Sequence, residues 1–225
     1  MIIKKYNILL SRLDMNDIEL LRQKRNSQNI RERMVFQEII SEKQQLEWFK
    51  SIDNIHNLYL IIHYEGKQIG VINGKNADFE AKTSEGGIFI WDEEYINSIV
   101  PALCSIIMHD YNFYVCEFEK TFIKVLKNNA AAITFNKLFG YEILDENASN
   151  NFYNCVLTRE NYIERINKYR KAIANLYNDF GVLEIENFSF TNVSDKELIR
   201  LYSSLPTYLK EKLNSVLIAE GRTTL

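Results

Sequence analysis

The 225 residues predict an α/β (α+β) fold: one central mixed sheet flanked by helices, followed by a mostly helical C-terminal extension. Three observations carry that prediction. Short β-rich runs bounded by turn residues alternate with helically spaced apolar residues through most of the chain. Beyond residue 158 the pattern changes to long amphipathic helices. Finally, 46% hydrophobic and 25% charged residues is the composition of an ordinary globular chain with material for a core. Residues 1–158 therefore read as the body and residues 159–225 as an extension, with no Pro- or Ser-rich linker between them.

In order along the chain, residues 8–13 read as a strand. Residues 14–16 bring turn and N-cap chemistry before a helix carrying Ile18, Leu20, Leu21 and Arg25. Ser41-Glu-Lys-Gln44 spells a capping box, opening a second helix through Leu46, Trp48 and Phe49 to about residue 52. Residues 59–63 and 68–73 are apolar runs joined through Gly66, a hairpin signal. Residues 86–91 form a further strand after a polar loop. Residues 95–111 have helical spacing through Ile99, Leu103, Ile106, Ile107 and Tyr111. Residues 118–126 are a strand, and residues 130–139 a short helix ended by Gly140 at its C′ position. Residues 143–144 and 152–157 complete the sheet.

Thr158 caps a long helix whose apolar positions, Tyr162, Ile166, Tyr169, Ile173, Leu176 and Phe180, recur at steps of four and three and are closed by Gly181. Such a continuous seam requires a surface, either the chain's own body or a second subunit in a homo-oligomer built through the C-terminal helices. A strand-like stretch at 183–190, a capping box Ser194-Asp-Lys-Glu197 and a last helix from about Pro206 follow. Leu209, Leu213, Val216 and Leu217 give that last helix an apolar face.

Several function classes are excluded. Net charge is −3 with acids and bases interspersed, so neither a nucleic-acid groove nor a polybasic membrane patch is expected. Apolar runs such as 99–108 are too short to span a bilayer, and no apolar leader is expected from Met1-Ile-Ile-Lys-Lys-Tyr6, which quickly turns polar. Cys104, Cys116 and Cys155 make an odd set without Cys-x-x-Cys spacing, which implies free, packed thiols in the cytoplasm. His56, His63 and His109 are scattered, so no metal site is expected.

Two segments carry a likeness to a known pattern. The first is Leu21-Arg-Gln-Lys-Arg25-Asn26, then Ile30-Arg31-Glu-Arg-Met34, then Gln45-Leu-Glu-Trp48-Phe49. The second is Asn129-Ala-Ala-Ala132-Ile133-Thr-Phe-Asn136-Lys137-Leu138-Phe139-Gly140-Tyr141. Together, across residues 1–158, they resemble the GNAT superfamily of acyl-CoA-dependent N-acetyltransferases, in particular its amino-sugar branch. The resemblance implies acetyl-CoA as acyl donor and a small amine acceptor, a nucleotide-linked amino sugar. It places Arg25, Asn26, Arg31 and Trp48 at the acceptor. Backbone N–H groups of Phe89, Ile90 and Trp91 would receive the thioester carbonyl. Asn129 would hold the pantetheine arm, with Lys137 on the helix beside it. Asp92 or Glu93 would take the amine's proton.

The chain also departs from that pattern. Gln45 stands where the family usually has histidine. Asn136 stands where a tyrosine usually protonates the departing thiolate; an amide supplies no proton at neutral pH, though it can hydrogen-bond the sulfur. The pyrophosphate loop of the family is glycine-rich, so that successive N–H groups reach the phosphates at a helix N-terminus. Here the corresponding residues 94–99 contain no glycine, only Asn97 and Ser98 as caps, and they follow Asp92 and Glu93. A carboxylate close to a phosphate opposes it by on the order of 1 kcal/mol. Three readings stay open at this point: an active N-acetyltransferase, a GNAT-fold binding or scaffolding subunit, and an acyltransferase served by an acyl carrier protein. The first requires a splay between the strands at 86–91 and 118–126.

Overall fold

The computed structural model describes residues 1–145, 149–179 and 181–225. Its strands are β1 (Ile2–Lys5), β2 (Ile8–Arg12), β3 (Leu58–Tyr64), β4 (Lys67–Asp78), β5 (Thr83–Ile90), β6 (Lys120–Leu126), β7 (Glu142–Asp145), β8 (Phe152–Thr158) and β9 (Phe188–Ser189). Its helices are α1 (Ile18–Asn26), α2 (Gln28–Arg31), α3 (Glu42–Ile52), α4 (Glu93–Ile96), α5 (Val100–Asp110), α6 (Ala130–Phe139), α7 (Arg159–Tyr177), α8 (Asp195–Tyr202) and α9 (Thr207–Ala219). The described strands form one mixed sheet in the order β7-β8-β6-β5-β4-β3-β2-β1-β9. Neighbours are antiparallel except β5 and β6, which run parallel.

Strand alternation divides the core in two. On one face Leu13, Ile61, Val71 and Trp91 pack under α1, α2 and α3 through Leu21, Ile30 and Phe49. On the other, Leu10, Leu60, Ile62, Ile72 and Ile90 meet Leu103, Cys104 and Ile107 of α5. All three cysteines are free and buried, as packing residues should be. The capping box at Ser41 forms with both of its bonds. Gly140 closes α6 in the left-handed region at φ 97°.

The chain differs from its sequence pattern at several points. A strand, β1, precedes the expected first one and returns through Tyr6 and Asn7, both at positive φ. The helix expected over 95–111 is broken into α4 and α5, because Pro101 is tolerated only in the first turn of a helix. The helix then runs past Asp110 as one π-helical turn, Tyr111–Val115. Gly181 does not close α7; Asn178 does, in the left-handed conformation at φ 51°. Phe180 lies outside the described residues. Within 183–190 a 3-10 turn, Ile185–Asn187, precedes the short β9. At Ser194 the side chain accepts from the Glu197 N–H at 3.2 Å, the N-cap half of a box.

The extension packs on its own chain. β9 adds to the edge of the sheet by pairing with β1, Ile2 opposite Ser189 and Ile3 opposite Phe188. Tyr162, Ile166, Ile173, Leu183, Phe190, Leu198, Leu213 and Leu217 join the core that contains β1–β4 and α5. The seam of α7 is not continuous, however: Tyr169 and Leu176 are 47% and 69% exposed. The buried row instead follows the i+4 spacing Tyr162, Ile166, Arg170, Ala174, with Arg170 half-buried. The reason is Asp110, which is fully buried at the end of α5. It accepts from Arg170 Nη2 at 2.5 Å, the Tyr162 hydroxyl at 2.7 Å and the Leu183 N–H at 2.9 Å. A buried carboxylate must be matched, and turning Arg170 inward moves Tyr169 out.

Candidate active site

The splay is present. β5 and β6 pair only at Thr83–Lys120, Ser84–Thr121 and Glu85–Phe122. Beyond these, β5 continues to Ile90 alongside β4, and β6 continues to Leu126 alongside β8. A V-shaped opening is left between two strands that keep their other partners. Of the N–H groups expected at the thioester carbonyl, that of Trp91 instead bonds Ile69 O at 2.9 Å; strand alternation turns the Phe89 N–H the same way and those of Ile90 and Ile88 toward the opening. Close packing of β4 on β5 on the far side depends on Gly70, where a Cβ would come within 2.7 Å of Phe89 O.

α6 follows β6 along this opening. Asn129 is its N-cap, with Oδ1 accepting from the Ala132 N–H at 3.0 Å. Asn136 directs its amide back along the same helix, donating to Ala132 O at 2.8 Å. Lys137 is exposed and lines a shallow cavity of about 530 Å³ between α6, β7 and α7, on the side of β6 away from the V. A second cavity of similar size, about 560 Å³, lies between the α3–β3 loop and α8 around Asp53, His56, Phe79 and Arg200. Neither cavity contains a residue expected at the acceptor.

At the end of β5 the carboxylates are held by the backbone and by one another's neighbours. Asp92 caps α4, accepting from the Glu94 N–H at 3.1 Å. Glu93 is exposed, with Oε1 3.5 Å from Asn29 Nδ2 on α2, so it faces the wall that α2 provides. Asn97 is exposed, and the Ser98 hydroxyl accepts from the Val100 N–H at 3.1 Å.

The acceptor residues separate into two kinds. Asn26 is a clasp: its amide donates to Ile40 O and accepts from Ile40 N–H, both at 2.8 Å, tying the α2–α3 segment to α1. Arg25 is different. Its guanidinium lies 5.7 Å from the centre of the Phe89 ring, and Nη1 is buried without a partner. Burial lowers the guanidinium pKa, with Tyr59 opposing that shift. The Tyr59 hydroxyl is itself pushed up to about 12 by burial and by Glu85, with Arg25 opposing. Trp48 is half-buried and stands edge-on to Tyr59, their ring centres 5.0 Å apart. One turn before Trp48, Gln45 is buried at 4% exposure and its Nε2 has no partner. Arg31 is half-buried at the end of α2.

Arg25, Phe89, Tyr59 and Trp48 thus form one cation-and-aromatic cluster on the α1–α3 face of the sheet, beside β5. Tyr59 was missed by sequence reasoning; as the second residue of β3, only strand register reveals that it faces this cluster. Gln45 stood out only as a departure from a motif.

No protein-family profile and no curated protein matches the sequence. Solved structures do. A spermidine N-acetyltransferase from Vibrio cholerae, in complex with CoA and spermine, superposes with a TM-score of 0.63 at 15% identity, over 71% of this chain and 99% of that one. Apo FdhC, a nucleotide-linked sugar GNAT, gives 0.62 at 19% identity over 75% and 96%. A domain from Methanocaldococcus jannaschii DSM 2661 gives 0.59 at 17% identity over 67% and 97%. At these identities the likeness is one of architecture, and it agrees with the splayed sheet: the chain has the GNAT fold.

Proposed function

We propose that this protein is an N-acetyltransferase that moves an acetyl group from a pantetheine thioester, such as that of acetyl-CoA, to the amine of a nucleotide-linked amino sugar. The observation that carries the acceptor class is the pair of buried donors without acceptors, Arg25 Nη1 and Gln45 Nε2. A buried unpaired donor costs about 1–3 kcal/mol, more for a charged group, so its retention calls for an occupant that completes it. A phosphate oxygen would complete such a donor, and a base or sugar ring suits the Phe89, Tyr59 and Trp48 rings around Arg25. A polyamine would instead set cations against Arg25. The FdhC likeness supports the same class.

A bound acetyl thioester supplies an electrophilic carbonyl: the amine forms the C–N bond, the C–S bond breaks, and the thiolate leaves to be protonated. The chain's own part is placement. The N–H groups of Ile88 and Ile90 face the V, where they can receive developing negative charge on the carbonyl oxygen. Asp92 or Glu93, at the end of the same strand, takes the proton the amine loses, directly or through water. Asn129 and Asn136 line the helix that would flank the arm. A non-transferring reading draws on Asn136, whose amide is already engaged with Ala132 O.

The test is acetyl transfer by the full-length protein to nucleotide-linked amino sugars and to spermine, with Arg25→Met alongside. The nucleotide-linked acceptor should be preferred. Losing a charge-assisted bond worth about 1.5–3 kcal/mol should lower kcat/KM for it by about 10–100-fold. The same variant should melt no lower than the parent, because an uncompensated buried charge has been removed while the stem is kept. A preference for spermine, or an Arg25→Met enzyme with unchanged kinetics, overturns the acceptor assignment. No transfer to any amine favours the binding role.

A further inference from the structure

We infer that this chain recognises its acyl donor through the pantetheine arm and thioester alone and has no seat for the diphosphate of coenzyme A; this rests on the acyl-transfer reading above. The V between β5 and β6 is long enough to receive an arm, since five residues of β5, Gly86 to Ile90, run on beyond the last β5–β6 pair. The mouth of the V is where the fit ends.

A diphosphate at this place would need free N–H groups at the start of α5, presented by residues small enough to let phosphates approach. Most of those donors are occupied or missing. The N–H groups of Trp91 and Asp92 both point at Ile69 O. The Glu94 N–H goes to Asp92 Oδ1, and the Tyr95 N–H to Asp92 O. The Ser98 N–H goes to Tyr95 O, the Val100 N–H to the Ser98 hydroxyl, and the Leu103 N–H to Ile99 O. Pro101, in the first turn of α5, has no N–H to give.

The side chains point the same way. Tyr95 is buried and its hydroxyl donates to Glu65 at 2.8 Å, which fixes α4 as a plug rather than a loop. Glu65, Asp92, Glu93 and Glu94 gather here. Lys67, which also lies over the Tyr95 ring, is tied to Glu94 at 2.9 Å. A phosphate group brought to this mouth meets carboxylates and an engaged lysine.

Two sources share the chemistry that remains, an acyl thioester on a pantetheine arm: coenzyme A with its nucleotide end left in solvent, and the phosphopantetheine of a carrier protein. Calorimetry on the full-length protein separates them, using acetyl-pantetheine, acetyl-CoA and an acetylated phosphopantetheinyl carrier protein as titrants. Acetyl-CoA should bind no more than about threefold tighter than acetyl-pantetheine. Its affinity should rise with salt as the carboxylates are screened, whereas a phosphate seat would make it fall. The double variant Glu65→Gln/Glu94→Gln should tighten acetyl-CoA several-fold and leave acetyl-pantetheine within twofold. Carrier-protein binding at least tenfold tighter than acetyl-pantetheine identifies the carrier as donor; equal affinities identify coenzyme A. Acetyl-CoA binding tenfold or more above acetyl-pantetheine, weakening with salt, overturns this inference while leaving acyl transfer intact. If acetyl-pantetheine does not bind at all, the acyl-transfer reading falls and this one with it.

Discussion

Replacing Asp110 by asparagine tests whether the C-terminal extension and the body form one cooperative unit. Asp110 ends α5 in the body, and its partners Arg170, Tyr162 and Leu183 all belong to the extension. Asparagine keeps the shape and one acceptor oxygen but leaves the Arg170 guanidinium, 15% exposed in its side chain, without a counter-charge. Burial already works against that charge, and the Asp110 carboxylate more than offsets it, holding the Arg170 pKa above its ordinary value. Breaking a buried pair by removing one partner costs about 3–5 kcal/mol. For a chain of this length that corresponds to a fall in Tm of roughly 6–20 °C. Arg170→Met should be comparably damaging, since it leaves the carboxylate unmatched. The double variant Asp110→Asn/Arg170→Met should cost clearly less than the sum, because neither uncompensated charge remains. Urea unfolding followed by the fluorescence of Trp48 and Trp91, which both lie in the body, should shift together with protease susceptibility of the extension. Single-variant costs that add within about 0.5 kcal/mol, or an extension that is cut while the tryptophan signal keeps its midpoint, would refute the reasoning.

Two further perturbations follow from the packing. Gly140→Ala should destabilise by about 1–3 kcal/mol, because the position needs φ 97° and an added Cβ would lie 3.1 Å from Asn161 O on α7; an unchanged urea midpoint counts against it. His109 is buried among Phe113, Phe139 and Tyr162, and burial pushes its pKa down to about 3. With a lowered folded-state pKa, the unfolded chain alone takes up the proton below about pH 6.5, so stability is full above that pH and lost on acidification. The loss should be about 1.4 kcal/mol per pH unit from pH 6.5 toward 3, and His109→Phe should remove one proton's worth of that slope. His63, whose pKa burial also lowers, remains in both proteins. Parallel stability curves for the two proteins between pH 7 and 5 would show that His109 is not responsible.

Much of the architecture was legible in the order of residues because its signals are local. Ser41 with Gln44, Thr158 and Gly140 act on backbone groups within three or four residues, and each terminates its helix where the pattern placed it. Apolar, β-rich runs bounded by turn residues place β3, β4, β5, β6 and β8, because each has at least one buried face. The motif around Asn129 pointed to a V beside β6, and β5 and β6 do part after Glu85 and Phe122.

Tertiary structure decided what depends on partners distant in the chain. Asn26 reads as an acceptor ligand in its motif, but only the position of Ile40 reveals it as a clasp. Arg25 reads as one more helix charge until its depth against Phe89 and its unpartnered Nη1 are seen. The face of α7 could not be chosen from its apolar spacing, since the heptad-like row and the i+4 row share Tyr162 and Ile166 and part after them. Asp110, fifty-two residues before Tyr162, selects between them, because desolvating a carboxylate costs more than exposing a tyrosine ring.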